Sequence, residues 1–228
     1  SIIVNLENVA HMRLRNIDFV RRNGALEQMV QMGQNSDGCR FEGCRFIDSL
    51  ANPEALMRIG SMINSGYSDG MQVLGCTFEG GLVGVKALGS SSESLSMGVA
   101  ICGNRFSNQY NNAVQAVYQT NLTIDGNEMY DVLTNGGFVA QVNDCYGSIS
   151  LQRNRIFTSN GAGAMGLSGL TGTATAHALV ANNMMVCEDN GNANSQWTPF
   201  NIISGSYIEV VYNSVKMTAP TRSGIAAA

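Results

Sequence analysis

Ile101-Cys102-Gly103-Asn104-Arg105-Phe106 reads as an apolar residue, two variable residues, an anchor, one variable residue and a second apolar residue. The same frame returns at 14–19, 41–46, 73–78, 124–129, 151–156, 180–185 and 210–215. Its anchors are Ile17, Cys44, Cys76, Asn104, Asn127, Asn154, Asn183 and Asn213, separated by 27, 32, 28, 23, 27, 29 and 30 residues. A period of this size marks a chain built from one repeated supersecondary unit.

A second apolar segment follows each anchor: 29–32, 56–59, 82–85, 113–117, 138–142, 164–167, 200–203 and 224–226, with Ile2-Ile3-Val4 as the preceding member. Apolar and polar residues alternate within these segments, and turns rich in Gly, Asn and Ser separate them, which is the grammar of short strands. One coil has too little area to bury its own apolar face, so successive coils must stack, each strand pairing in parallel with its equivalent about 4.8 Å away. The expected fold is therefore all-β: a right-handed parallel β-helix of about eight coils, forming one domain over residues 1–228. Asn is the non-glycine residue best suited to left-handed geometry, so the anchors are expected to turn the chain there and to stack their amides into a ladder from Asn104 to Asn213. Cys44 and Cys76 would fill the same slot as small residues, and Ile17 would break it. Asn52-Pro53-Glu54 reads as a short helical start inside the 32-residue coil.

Composition narrows the function. Charged residues are 13% of the chain, the net charge is -4, and lysine occurs only as Lys86 and Lys216. Phosphate binding draws on clustered Lys and Arg, so no nucleic-acid partner is expected. No apolar run reaches the roughly 18 residues a membrane span needs, so none is expected either. Ser1 opens directly into Ile2-Ile3-Val4, and a signal peptide would have to precede it. Six cysteines lie at irregular spacing without a CxxC and read as buried free thiols.

With its motif assembled, the chain resembles right-handed parallel β-helix repeat proteins of the pectate-lyase-like superfamily. The likeness is closest to secreted or surface-displayed bacterial members, in which phrases like Ala181-Asn182-Asn183-Met184-Met185 and Val211-Tyr212-Asn213-Ser214-Val215 recur. The resemblance covers nearly the whole chain and is specific for fold rather than function. It implies a secreted or cell-surface bacterial location. Members usually carry end caps, and none is evident here, so it also implies uncapped ends covered by neighbouring domains or coils of a larger protein.

The chemistry of that family is sparsely represented. A lyase of this type would use calcium held by several carboxylates, with an Arg or Lys as base. Asp125, Glu128 and Asp144 do not stack at matching positions of successive coils, and calcium is expected only if the chain is a lyase. Hydrolysis needs paired carboxylates, and the adjacent pair Glu188-Asp189 falls in an Asn/Gly-rich loop. His11 and His177 lie in different coils without ligand partners, so no metal site is expected. The Gly161–Gly166 stretch lacks a following helix and reads as strand turning rather than a phosphate loop. Alternation instead points Gln31, Arg58, Lys86, Gln115 and Gln141 outward as a polar stripe suited to an extended glycan. Trp197, with Tyr207 ten residues on, is a candidate for sugar stacking. The favoured expectation is a noncatalytic surface scaffold or adhesin that binds a polysaccharide or host-surface glycan. The alternative is a polysaccharide lyase or glycoside hydrolase, with Arg58 or Lys86 lining its groove.

Overall fold

The computed structural model describes residues 2–21, 28–33, 35–48, 61–130, 132, 137–159, 163–188 and 198–218. They form three parallel sheets of eight strands each and a two-stranded pair of Ser96–Met97 with Gln119–Thr120. The first sheet comprises Ile2–Leu6, Gln28–Met32, Ser61–Gly66, Val83–Leu88, Asn112–Val117, Phe138–Asn143, Gly163–Thr171 and Phe200–Ser206. The second runs from Arg13–Arg15 to Ile208–Val211, and the third from Asp18–Arg21 to Ser214–Thr218. In every sheet a strand pairs with the equivalent strand one coil away, so the chain is a parallel β-solenoid. Six of the eight strands in each sheet have neighbours on both sides, giving about six flanked turns between two end coils. Among the described residues there is no helix, and hence none able to cross a membrane.

The six-residue frame proves to be two strands meeting at a bend. Ala100–Cys102 lies in the second sheet and Arg105–Ser107 in the third, so each coil has three principal strands. Residue-for-residue register then turns each apolar position of the frame into a column. Phe19, Phe46, Phe78 and Phe106 stack with ring centroids 4.7 Å apart and interplanar angles of 7°, 3° and 9°. Met129, Ile156, Met185 and Val215 continue the same column. Burying each side chain from Phe19 to Met185 is worth about 1.5–3 kcal/mol, a gain each coil takes from its neighbours, while Val215 in the last coil is exposed.

The anchor amides form the expected ladder. Asn104 Nδ2 donates to Asn127 Oδ1 at 3.0 Å, Asn127 to Asn154 at 3.0 Å, Asn154 to Asn183 at 3.0 Å, and Asn183 to Asn213 at 2.9 Å. Each Oδ1 also accepts the anchor backbone N–H of the preceding coil, and each Nδ2 donates to a carbonyl of the second sheet. Cys76 receives the last of these bonds, its N–H donating to Asn104 Oδ1 at 2.8 Å, while Cys44 N–H meets Cys76 Sγ at 3.4 Å. Ile17, as expected, offers no amide and is 37% exposed.

The turning residue, however, is not the anchor. Left-handed φ values between 54° and 63° fall on the residue before it: Asn16, Gly43, Gly75, Gly103, Gly126, Arg153, Asn182 and Tyr212. That residue points its side chain away from the interior, while the anchor needs an ordinary backbone to aim its amide down the axis. At Gly103 a Cβ would meet nothing within 4 Å, so glycine there serves the conformation alone.

Strand Ser61–Gly66 supplies the first-sheet rung of the long coil, whereas the segment expected at 56–59 and the helical start at 52–54 lie outside the described residues, as does 224–226. All six cysteines are free, and all are buried except Cys102, which is half-buried on the outside of the second sheet. Burial pushes the Cys76 and Cys145 thiols up to about 12 and Cys187 to about 11.

Candidate binding face

The outer face of the first sheet carries one column of polar side chains. Register places Asn5 beside Gln31, Gln31 beside Asn64, Asn64 beside Lys86, Lys86 beside Gln115, and Gln115 beside Gln141. Gly166 and Asn201 occupy the next two positions. These residues sit there because each strand alternates: Val85 and Ala87, Val114 and Ala116, and Ala140 and Val142 are buried, while the residue between each pair points outward.

Four of the five stripe residues chosen from sequence are thus neighbours in one column: Gln31, Lys86, Gln115 and Gln141. Arg58 lies outside the described residues, and Asn64 holds the column position in that coil. Sequence reading also passed over Asn5 and Asn201. All three missed residues are asparagines in segments where alternation is weak, and only strand register identifies them. Across one step the amides bond directly, Asn64 Nδ2 donating to Gln31 Oε1 at 2.9 Å while Gln31 Nε2 donates to the Met32 carbonyl at 3.0 Å. Asn64 Oδ1 is buried without a partner among the described residues. The Lys86 side chain has no ion pair or hydrogen bond among them, and it is the column's single cation.

Phe138 covers the column at its Gly166 position. A Cβ on Gly163 or Gly166 would collide with its ring, so the ring lies over the backbone of those two glycines. Gly163 and Gly166, in the strand Gly163–Thr171, are therefore the bed of a half-buried aromatic side chain, while Gly161 and Ala162 lie outside the described residues.

The titratable residues considered for catalysis are dispersed. Asp125 lies on the outside of the second sheet, ion-paired with Arg153. Glu128 lies on the outside of the third, 3.8 Å from Arg155, and Asp144 sits in a left-handed turn after Phe138–Asn143. Glu188 ends the strand Met184–Glu188, and Asp189 lies outside the described residues. His11 is an exposed left-handed turn residue, whereas His177 stacks against Tyr207 with centroids 6.1 Å apart. Trp197 is not among the described residues. Among those described, no three His, Cys, Asp or Glu side chains come together as a metal site would need. Compared with known proteins, the chain matches no family model and no curated protein.

Proposed function

We propose that this solenoid is a noncatalytic scaffold or adhesin of the pectate-lyase-like type, secreted or displayed on a bacterial surface, and that an extended glycan lies along its first sheet. The observation that carries the reading is the outward column Gln31, Asn64, Lys86, Gln115 and Gln141. It offers one long polar side chain per coil at the constant step of a parallel sheet, about 4.8 Å. A polymer of repeating hydroxyl-bearing units can meet such a row with one hydrogen bond per step, and amides suit it because each both donates and accepts. Phe138 would contribute an apolar surface at one end of the row. Individual amide contacts in water are weak, so affinity has to come from several steps engaged together.

A glycan array probed with the whole chain tests the reading. Binding to an oligosaccharide that rises with its length, and that falls at least tenfold in a Gln115→Ala/Gln141→Ala variant of unchanged fold, supports it. Equal binding by the variant would refute it.

One observation favours a second reading, a carbohydrate-active enzyme: Lys86 lies on the same face with no acid beside it among the described residues. Release of unsaturated uronides from polyuronides with calcium, or of reducing ends from neutral glycans, abolished by Lys86→Met, would establish that activity.

A further inference from the structure

We infer that the outer face of the second sheet holds, on its first two coils, an anion-binding patch formed by Arg13, Arg15 and Arg40, and that its ligand is an acidic glycan bearing sulfate or carboxylate groups. The inference extends the glycan reading to a second face and is tested separately from the first-sheet column.

The coil period creates the patch. Arg13 and Arg40 are 27 residues apart in sequence yet are register partners, with Arg15 opposite Glu42. Like charges directly opposite on an exposed sheet are destabilising, and the other register pairs of the described strands avoid them. Asp18 pairs with Arg45 at 3.1 Å, Asp125 with Arg153, and Glu128 lies between Arg105 and Arg155 in register. Here three guanidiniums share one carboxylate. Arg13 Nε reaches Glu42 Oε2 at 2.9 Å, Arg15 Nε reaches the same oxygen at 3.2 Å, and Arg40 Nη2 lies 3.4 Å from Oε1. Among the described residues, the cluster of three arginines and one glutamate keeps two positive charges without a carboxylate, in a chain whose net charge is -4.

Glu42 organises the cluster rather than neutralising it. The hydrogen bond from Arg13, then the charges of Arg13, Arg15 and Arg40, holds its carboxyl below the usual carboxylate range, so it stays ionised and orients its neighbours. Each guanidinium has five N–H donors, and one carboxylate cannot occupy most of them. Arg40 Nε is buried without a hydrogen-bond partner among the described residues, and the Arg13 and Arg15 side chains are 48% and 54% exposed. Planar forks of this kind suit sulfate and carboxylate oxygens. The donors are spread over one strand step and two residues along a strand, roughly 5–7 Å, which favours several anionic groups on one chain over a single small ion. At such an exposed site, single ion pairs are weak and multivalent ones are not.

The test measures affinity of the whole chain for a heparin-type sulfated oligosaccharide, a polyuronide, a neutral glycan and single-stranded DNA, over a range of salt. The sulfated or carboxylated chain should bind, the better of the two identifying the anion, and the neutral glycan should not compete. Arg13→Gln with Arg40→Gln should weaken binding about tenfold or more and lower the salt slope by roughly one per arginine removed. Glu42→Gln should tighten it, an effect that no structural role for the ion pair would give. The salt-sensitive part of the binding that the arginine variants remove should persist when Gln115→Ala/Gln141→Ala is the background, so the two faces fail or succeed independently. Binding indifferent to the arginine variants, weakening in Glu42→Gln, equal affinity for DNA, or no binding to either acidic glycan would each overturn the assignment.

Discussion

At the residue scale, the anchor and its predecessor divide the work of a corner. Asn104, Asn127, Asn154 and Asn183 are almost fully buried with both amide atoms bonded, while the residue before each is in left-handed backbone on the outside. Asn154→Ala would orphan the Asn127 backbone N–H and one donor of its amide at a fully buried position. An unmet buried hydrogen bond costs about 1–3 kcal/mol, so denaturant unfolding should show a loss of about 2–4 kcal/mol. Asn213→Ala should cost less, because Asn213 is only half-buried at the last coil. The predecessor follows a different rule. Gly103→Ala should cost about 1–2 kcal/mol through its backbone conformation alone, and Gly103→Asn less, because asparagine visits that region most readily among residues with a side chain. The amide ladder itself could be read from six-residue frames, but the corner's true turning residue could not. Gly, Asn, Arg and Tyr all occupy it, and no single residue type signals it.

At the element scale, each column is as good as its worst rung. Phe46, Phe78 and Phe106 are fully buried, and each stacks on a neighbour. Phe78→Ala removes the centre of that stack, and two intact coils prevent collapse into the space, so a loss of about 3–5 kcal/mol is expected from chemical unfolding. Phe106→Leu should cost less than about 1.5 kcal/mol, since the next rung is already Met129. The outward column behaves oppositely. Gln115→Ala and Gln141→Ala change half-exposed side chains and should move stability by no more than about 0.5 kcal/mol, so that any loss of glycan binding is read as lost contact. Here sequence alternation placed Gln31, Lys86, Gln115 and Gln141 on the outer face because the flanking Val, Ala and Met residues define the inner one. In the 32-residue coil the described rung is Ser61–Gly66, which contains two serines and an asparagine and shows little alternation of its own, while Leu56 to Ile59 lies outside the described residues. Pairing with Val30 and Val85, not its own composition, makes Ile63 an interior residue.

At the scale of the molecule, a stack of coils has a gradient of protection. Interior strands are covered on both sides, while Ser214–Thr218 is exposed throughout and Ile2 and Ile3 are about 40% exposed. Amide hydrogen exchange should therefore be slowest in the coils between 100 and 156 and faster toward 2–6 and 200–218. Exchange that is uniform along the chain would contradict nearest-neighbour stacking. The buried thiols add a pH dependence. Their folded values are raised by burial, so their stabilising contribution is complete below the ordinary thiol range and is lost as pH climbs through about 11 to 12. Calorimetry should show Tm steady from pH 7 to about 8.5 and falling above about 9, with a shallower fall in Cys145→Ala.

The sequence alone determined that the chain coils, because the spacing of small apolar frames is a local property that survives every detail of packing. It also determined which amides stack, since the anchor slot is marked in five coils by the same residue. Only the tertiary structure decided which residues separated by 23 to 35 positions become neighbours, because coil length varies and each insertion shifts what lies beside what. That is why the asparagines completing the polar column, and the three arginines gathered around Glu42, emerge from register rather than from any stretch of chain read by itself.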